Sequence, residues 1–402
     1  MPVAEGSQED VKVLPHLQDV HLDGLHVLIM TSGHEATDPR IYAKQACSLQ
    51  DLGADVTVVG MLEHNAPGKV TVLTVRKPSS RLARFLWQPW RCIWAARRHR
   101  ADIIHFHDAE MLITLPLAKL WWGRSKFVYD VHEDFGNLML VRDWLPSWMK
   151  PVVRVLTDTV EKGLASLADA IVGVTPPLAD KFRHRNRIVA YNYPAKEFFD
   201  RATKAKQQSQ NRDFDLVHLG TLNLRRAIFL ADVIKEFHQL QPGARSLVIG
   251  VPADIEAAIK GLIPDGCVLL GKTPYDEVTR LLGNAKVGLD VHPWLAPHLE
   301  VALPVKVCEY MAAGCAVVAS SMPVLKQILA RTEADEDAIT LIEGGKPIDY
   351  ARAVAHLVKV IEQGADPGSR LCELARKHLI WDEEVANIAR LYRELLQKPC
   401  AT

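Results

Sequence analysis

The chain has 402 residues, 48 basic and 48 acidic side chains and a formal net charge of zero, which is too long for one ordinary core and suits two domains of roughly 150–200 residues. The charge balance excludes binding of a polyanion through an overall field, so no nucleic-acid partner is expected. Seven cysteines stand singly, with an odd total and no CxxC pair, a usage that fits reduced thiols in a cytoplasmic setting.

Residues 1–24 lack the basic start and unbroken apolar run of a signal peptide and read as a loose N-terminal extension. No window reaches the roughly 18 to 20 apolar residues that cross a bilayer, because LITLPLAKLWW is broken by Pro116 and Lys119. A first unit, 25–200, opens with LHVLIMTSG, a strand-length apolar run. DPRIYAKQACSLQDLG follows and puts Tyr42, Ala46 and Leu49 on one helical face, started by Asp38 and Pro39 and ended by Gly53. DVTVVG is the next strand, completing a βαβ unit with a parallel sheet. ADIIHFH and KFVYDVH repeat the buried-strand pattern.

Between them, residues 81–100 combine six arginines with Trp87, Trp90 and Trp94 at i, i+3, i+7 spacing. Indoles and guanidiniums suit a headgroup region, so peripheral contact with the inner membrane surface through 81–100 is expected, supported by WLPSWMKPVVR at 144–154. Pro89 is expected to interrupt that helix.

Segment 201–213 is polar and reads as a link. Strand candidates then resume at DLVHLG, SLVIG, CVLLG, VGLDV, AVVAS and ITLIEG, with helical stretches between most of them, giving a second α/β unit over 214–380. A final helix in 381–402 carries Val385, Ile388, Leu391 and Leu395 at helical spacing and needs an apolar surface.

The most specific segment is ALPVKVCEYMAAGCAVVASS, 302–321: a proline-started helix, a glycine turn and an apolar strand. It resembles the retaining glycosyltransferases of the GT-B fold, family 4 (glycosyl transferases group 1), whose second domain carries P-x-K-x-x-E-Y-M-A-x-G before a strand. The resemblance spans about residues 25 to 395. It implies two Rossmann-like domains facing each other across a cleft, with the final helix crossing back to the first. The implied reaction moves a sugar from a UDP- or GDP-linked donor to an acceptor hydroxyl of a glycan, lipid-linked or small-molecule.

By the resemblance Glu309 binds the ribose hydroxyls, a role that suits a carboxylate facing a vicinal diol. Pro304 marks a helix N-terminus, and Lys306 on the next turn adds a charge for the diphosphate. Gly220, Thr221, Arg225 and Arg226, after the first strand of the second domain, complete the implied diphosphate site, with Arg226 where relatives commonly have lysine. His132 and Glu133 end a first-domain strand and stand as catalytic candidates with Arg226 and Lys306, and Asp134 joins them as an acceptor contact. Gly33 is expected near the donor, and Ser32, His34, Arg40, His107 and Asp108 near the acceptor. Many relatives have a sugar-binding glutamate where this chain has Val301, so the donor sugar is left open.

No metal and no cofactor are expected. His105 and His107 alternate like a metal pair but no third spaced ligand follows, and they read as a polar cleft wall. The DxD-like strings at 213–215 and 335–337 lie in a linker and an acidic loop. Two alternatives share the fold: a sugar-nucleotide 2-epimerase and a non-catalytic scaffold. A dehydrogenase is disfavoured because no strand leads into GxGxxG.

Overall fold

The computed structural model describes residues 20–62, 68–208, 212–334 and 337–397. Most of the N-terminal extension, and Asp335 and Glu336 of the second DxD-like string, lie outside the described residues. Two all-parallel sheets form. The first runs in the order β3-β2-β1-β4-β5-β6-β7, built from β1 (His26–Glu35), β2 (Asp55–Met61), β3 (Thr71–Val75), β4 (Ile103–Phe106), β5 (Lys126–Val131), β6 (Ala170–Gly173) and β7 (Arg187–Val189). The second runs β10-β9-β8-β11-β12-β13, from β8 (Phe214–Leu219), β9 (Ser246–Ile249), β10 (Cys267–Leu270), β11 (Ala285–Asp290), β12 (Ala316–Ser320) and β13 (Ile339–Ile342).

Both are doubly wound α/β units of Rossmann type. In each, helices cover both faces, so the central strands can be apolar throughout. Leu28, Met30, Ile104 and Phe106 point to one face of the first sheet, and Val27, Ile29 and Ile103 to the other. The residue-to-residue alternation of a strand divides them in this way.

Four spans carry the first domain's helical cover: α1 (Arg81–Ala96), α2 (Leu115–Trp121), α3 (Lys150–Ala165) and the stretch Pro39–Asp51, whose first eight residues are wound as a π-helix. Asp38 caps that stretch, its Oδ1 accepting from the backbone N–H of Arg40 at 2.9 Å, as an N-cap carboxylate does. Contrary to the expectation from Pro89, α1 continues through it without a break. A proline removes only one helix hydrogen bond, and this one lies midway along an otherwise regular four-turn helix.

The segment taken as a polar link is mostly helical: α4 (Lys196–Gln208) covers residues 201–208. Its Phe198, Phe199 and Ala202 are buried in the second domain's core, so the polar residues are the outer face of an amphipathic helix. In the first DxD-like string, Asp215 pairs with Lys286 at 2.7 Å and accepts from the Arg245 N–H, and is structural.

Three more helices position the second domain's residues: α5 (Leu224–Leu240), α6 (Tyr275–Gly283) and α7 (Val305–Ala312). The last helix, α8 (Trp381–Gln397), packs its apolar stripe on the first domain, with Trp381, Val385, Ile388 and Tyr392 joining a core that contains Ile29, Ile41 and Val172. No helix among the described residues is long and apolar enough to cross a membrane.

Trp381 is the anchor of that return. It is fully buried, its Nε1 donates to Ser48 Oγ at 3.2 Å, and the Arg40 guanidinium lies 5.6 Å from its ring centroid. Trp381→Ala should lower the stability of the first domain by about 3–5 kcal/mol, read as a shift of the urea midpoint.

Candidate functional site

The two sheets meet with their connecting loops facing one another. Thr175 Oγ1 donates to the Val301 carbonyl at 2.6 Å, and Lys272 pairs with Glu35 at 3.0 Å. Val301 itself packs against the apolar cluster of the first domain. An apolar residue at that position therefore joins the domain interface, which a glutamate could not do without burying a charge.

On the first-domain side, β1, β4 and β5 are neighbours and end together. The stretch after Met30 slips out of register with β2 and wraps around Asp108. The buried Asp108 carboxylate accepts from Thr31 Oγ1 (2.6 Å), Ser32 N (2.8 Å) and Gly33 N (3.0 Å), and its other oxygen lies 2.9 Å from His34 Nδ1. A Cβ on Gly33 would fall 2.7 Å from Asp108, so glycine is required by this wrap. Burial opposes ionisation of Asp108, but His34, Thr31 and Gly33 outweigh it and hold the carboxyl well below the ordinary range. Burial likewise disfavours the His34 cation, yet the hydrogen bond and charge of Asp108 push its pKa up to about 9. Asp108, expected at the acceptor, is therefore committed inside the loop; Ser32 gives it only its backbone N–H, its buried hydroxyl having no partner among the described residues, and His34 is half-exposed at the loop's edge.

Arg40 departs most from its expected place. It is buried, and its Nη2 donates to both oxygens of Asp130 at 3.0 Å. Asp130 also meets His105 Nε2 at 3.3 Å and His132 Nε2 at 3.1 Å, and His105 Nδ1 receives the Tyr392 hydroxyl of α8 at 2.6 Å. Burial alone would raise the Asp130 pKa, but Arg40 and His132 hold it well below the carboxylate range. The carboxylate fixes the protons around it. His132 Nε2 faces both Asp130 and, at 2.8 Å, His107 Nδ1, so the two imidazoles and the carboxylate form one shared hydrogen-bond cluster. Burial keeps His107 neutral, and its Nε2 is buried without a partner among the described residues.

His105, His107 and Asp130 bring their ligand atoms within 4.8 Å of one another, so Asp130 supplies the third group missing from the sequence pattern. The fit to a dication is poor, because the Arg40 guanidinium already occupies this carboxylate and would be desolvated beside the metal. Asp134, expected to touch the acceptor, is tied to Lys181 at 3.0 Å and to Asn137 at 2.7 Å. Its neighbour Glu133 is exposed, with no side-chain partner among the described residues.

On the second-domain side, β8 ends in Gly220, whose φ of +121° is accessible to glycine and strained for other residues. A Cβ there would lie 3.2 Å from Lys306 Nζ. Lys306 Nζ stands 3.2 Å from Asp290 Oδ1, and His292 Nδ1 3.0 Å from Asp290 Oδ2. Burial lowers the Lys306 pKa, opposed by Asp290. Arg226 donates through Nε to the Val291 carbonyl at 3.2 Å, leaving its buried Nη2 unpartnered among the described residues. His218 donates from Nδ1 to the Leu289 carbonyl at 2.8 Å, so its Nε2 is a bare acceptor in the same pocket.

Arg225 lies over the Trp294 ring, 3.6 Å from its centroid. Thr221 is exposed at the start of the loop, and Pro304 caps α7. Glu309, on α7, is buried and accepts from the Tyr275 hydroxyl at 3.2 Å. Burial raises its pKa, opposed by Lys44 of the first domain, whose own pKa burial pushes down to about 8.

Sequence reasoning missed Asp130, Asp290, His218, Lys44 and Tyr275. The first two had a readable signal: an acid inside or ending an otherwise apolar strand, DVH and VGLD, needs a buried counter-charge.

With the fold and both halves of the cleft in view, the molecule is of the two-domain GT-B class. Residues 42–194 match the family described as Glycosyltransferase Family 4, and residues 213–359 match Glycosyl transferases group 1. The chain belongs to this GT-B family 4/group 1 of glycosyltransferases. No curated protein matches it by sequence. Among solved structures it is similar to sucrose-phosphate synthase from Thermosynechococcus elongatus (TM-score 0.68, 14% identity, covering 92% of this chain and 99% of that one). It is also similar to HepE of Anabaena in complex with UDP and glucose (TM-score 0.66, 14% identity, 92% and 100%), and to WaaG, a glycosyltransferase involved in lipopolysaccharide biosynthesis (TM-score 0.63, 13% identity, 90% and 99%).

The His34–Asp108 pair has a titration signature. Because the folded pKa of His34 is raised from 6.5 to about 9, the pair's support of the loop is complete below 6.5 and lost as pH rises through about 9. NMR of the imidazole should give a midpoint near 9, falling by two units or more in Asp108→Asn.

Proposed function

We propose that the chain is a retaining, metal-independent hexosyltransferase that moves a sugar from a UDP- or GDP-linked donor to an acceptor hydroxyl in bacterial polysaccharide or glycolipid synthesis. It would work at the cytoplasmic face of a membrane. The observation that carries this reading is the pocket at the ends of β8 and β11. Lys306, the unpartnered Nη2 of Arg226 and the glycine-opened backbone at Gly220 converge there on a space beside Asp290, and Glu309 follows one turn after Lys306. A diphosphate needs desolvated cations and a close-approaching backbone, and a ribose needs a nearby carboxylate.

In this reading the bond from the anomeric carbon to the diphosphate oxygen breaks, and its electron pair passes to the diphosphate. Arg226 and Lys306 stabilise that charge. The acceptor oxygen attacks from the same face, and its proton goes to the departing phosphate or to Glu133. His132, aligned by Asp130, hydrogen-bonds the donor sugar. The Tyr275 hydroxyl holds Glu309 until the nucleotide ribose takes its place, while Lys44, bonded to Asn192 at 2.7 Å, adds its charge nearby. HepE, whose structure holds UDP and glucose, is a likeness in fold that agrees with such a donor.

Calorimetric titration with UDP- and GDP-sugars should show millimolar or tighter binding, weakened about ten- to hundred-fold in Glu309→Ala and in Arg226→Ala. Unchanged affinity in both variants would remove the donor site. Since Glu309 must be ionised to accept from the ribose and its pKa is raised, affinity should fall as pH drops through that pKa and stay flat in Glu309→Gln. Incubation of the donor without acceptor separates transfer from 2-epimerisation by the appearance of the epimer.

A further inference from the structure

The outer surface of the first domain's helix layer does not look like that of an ordinary α/β unit. Helices α1, α2 and α3 all pack inward on the same face of the first sheet, sharing one core through Cys92, Ile93, Leu115, Ala118 and Ala165. Their outward faces therefore lie side by side as a single layer, and Trp94 of α1 meets Trp121 of α2 with ring centroids 6.3 Å apart. Charged residues normally cover such a layer. Here seventeen of the twenty-four large apolar side chains that are exposed among the described residues fall between 82 and 167. They include Trp87 at 62%, Leu120 at 81% and Trp148 at 78% exposure.

The charge around this layer has one sign on its α1 and α2 side. From Arg76 to Ala101 the sequence has eight lysines and arginines and no acid. At the far edge of the layer, under the starts of β5, β6 and β7, lies a cavity of about 660 Å³ lined by Lys119, Arg124, Lys126, Arg183 and Arg185. Its one carboxylate, Asp169, is already used by the Phe127 N–H at 2.8 Å and by Lys119 at 3.2 Å. Arg124, Arg183 and Arg185 are exposed and have no side-chain partner among the described residues. The cavity adjoins the apolar layer directly: Lys119 stands between Leu117 and Leu120 on α2, and Ser166 and Ala168 of the cavity wall flank the exposed Leu167. It opens at the opposite end of the sheet from His132, so the donor site does not account for it.

We infer that this layer is a docking face for an anionic phospholipid bilayer, and that the cationic cavity at its edge takes lipid phosphate headgroups. The inference rests on the proposed membrane contact through 81–100 and extends it to α2, α3, the 141–148 turn and the cavity. Tryptophan and leucine partition into the interfacial region while arginine and lysine bind the phosphates. A second protein copy would meet the same apolar side chains, but it would have to match the exposed cations Arg76, Arg91 and Arg98 with acids of its own, which an anionic surface does without a matching partner.

The test is flotation of the full chain with vesicles of phosphatidylcholine alone and of phosphatidylcholine mixed with phosphatidylglycerol, alongside sedimentation velocity without lipid. Binding should require phosphatidylglycerol and fall with added salt. Arg124→Ala/Arg183→Ala/Arg185→Ala should lower partitioning about a hundred-fold, roughly five-fold per cation, and Trp87→Ser/Leu120→Ser/Trp148→Ser should abolish it. Nucleotide-sugar affinity, measured on the same variants, should be unchanged. Equal binding to both vesicle types, or a dimer in solution that the Trp87/Leu120/Trp148 variant dissociates, overturns the docking face. A native chain that binds nucleotide sugar but neither vesicle type refutes this inference alone, whereas a native chain that binds vesicles but no nucleotide sugar refutes the transferase reading instead.

Discussion

One buried carboxylate organises the first domain's half of the cleft. Asp130 sits in the middle of a parallel sheet where an unpaired charge would be intolerable, and the chain meets it with Arg40 from the π-helical stretch, His105 from β4 and His132 from the end of its own strand. Through His105 the arrangement reaches Tyr392, so the helix that returns from the second domain is hydrogen-bonded into the same cluster that orients the imidazole at the cleft. Four separate segments must be correctly placed before that imidazole has its orientation. The π-helical winding of Pro39–Ala46 belongs to the same demand, since it carries Arg40 inward and presents Lys44 toward Glu309.

The second domain solves the complementary problem. As the proposed diphosphate site, its pocket would have to hold cations ready without leaving them uncompensated when no donor is bound. Lys306 rests against Asp290 and Arg226 on a carbonyl, and the buried Nη2 of Arg226 has no partner among the described residues. On the proposed reading donor binding is an exchange of partners, its strength set by how far a diphosphate outcompetes one aspartate. The interdomain contact through Val301 closes the cleft with apolar packing where the usual pattern has a polar sugar contact.

Much of this was legible from residues alone. The ten strands with continuous apolar character were each placed by their pattern, as were the helix of Lys306 and Glu309 and the glycine turn after it, because fixed offsets between a proline, two charges and a glycine are hard to produce by accident. Three strands were not: β3, β6 and β7 are short, and β3 and β7 lie at the sheet edges, where partial exposure erases the apolar run. The polar stretch 201–208 read as a loop because its buried Phe198 and Phe199 precede it and only its outer face was counted. Asp108 and Asp134 read as ligand contacts from their positions near strand ends, and Arg40 from the family resemblance. Whether such a side chain faces the cleft or turns inward is set by partners 47 to 150 residues away, such as Asp108 for the Thr31 loop and Asp130 for Arg40, and no local pattern encodes that choice.

On the proposed reading Asp130 positions His132 at the donor sugar while the second domain supplies most of the donor's binding. Slow hydrolysis of a bound nucleotide sugar by water, followed at saturating donor in the native chain and in Asp130→Asn, tests it directly. Asp130→Asn should reduce turnover roughly hundred-fold with donor affinity preserved. An Asp130→Asn chain that binds the donor and hydrolyses it at the native rate would contradict it.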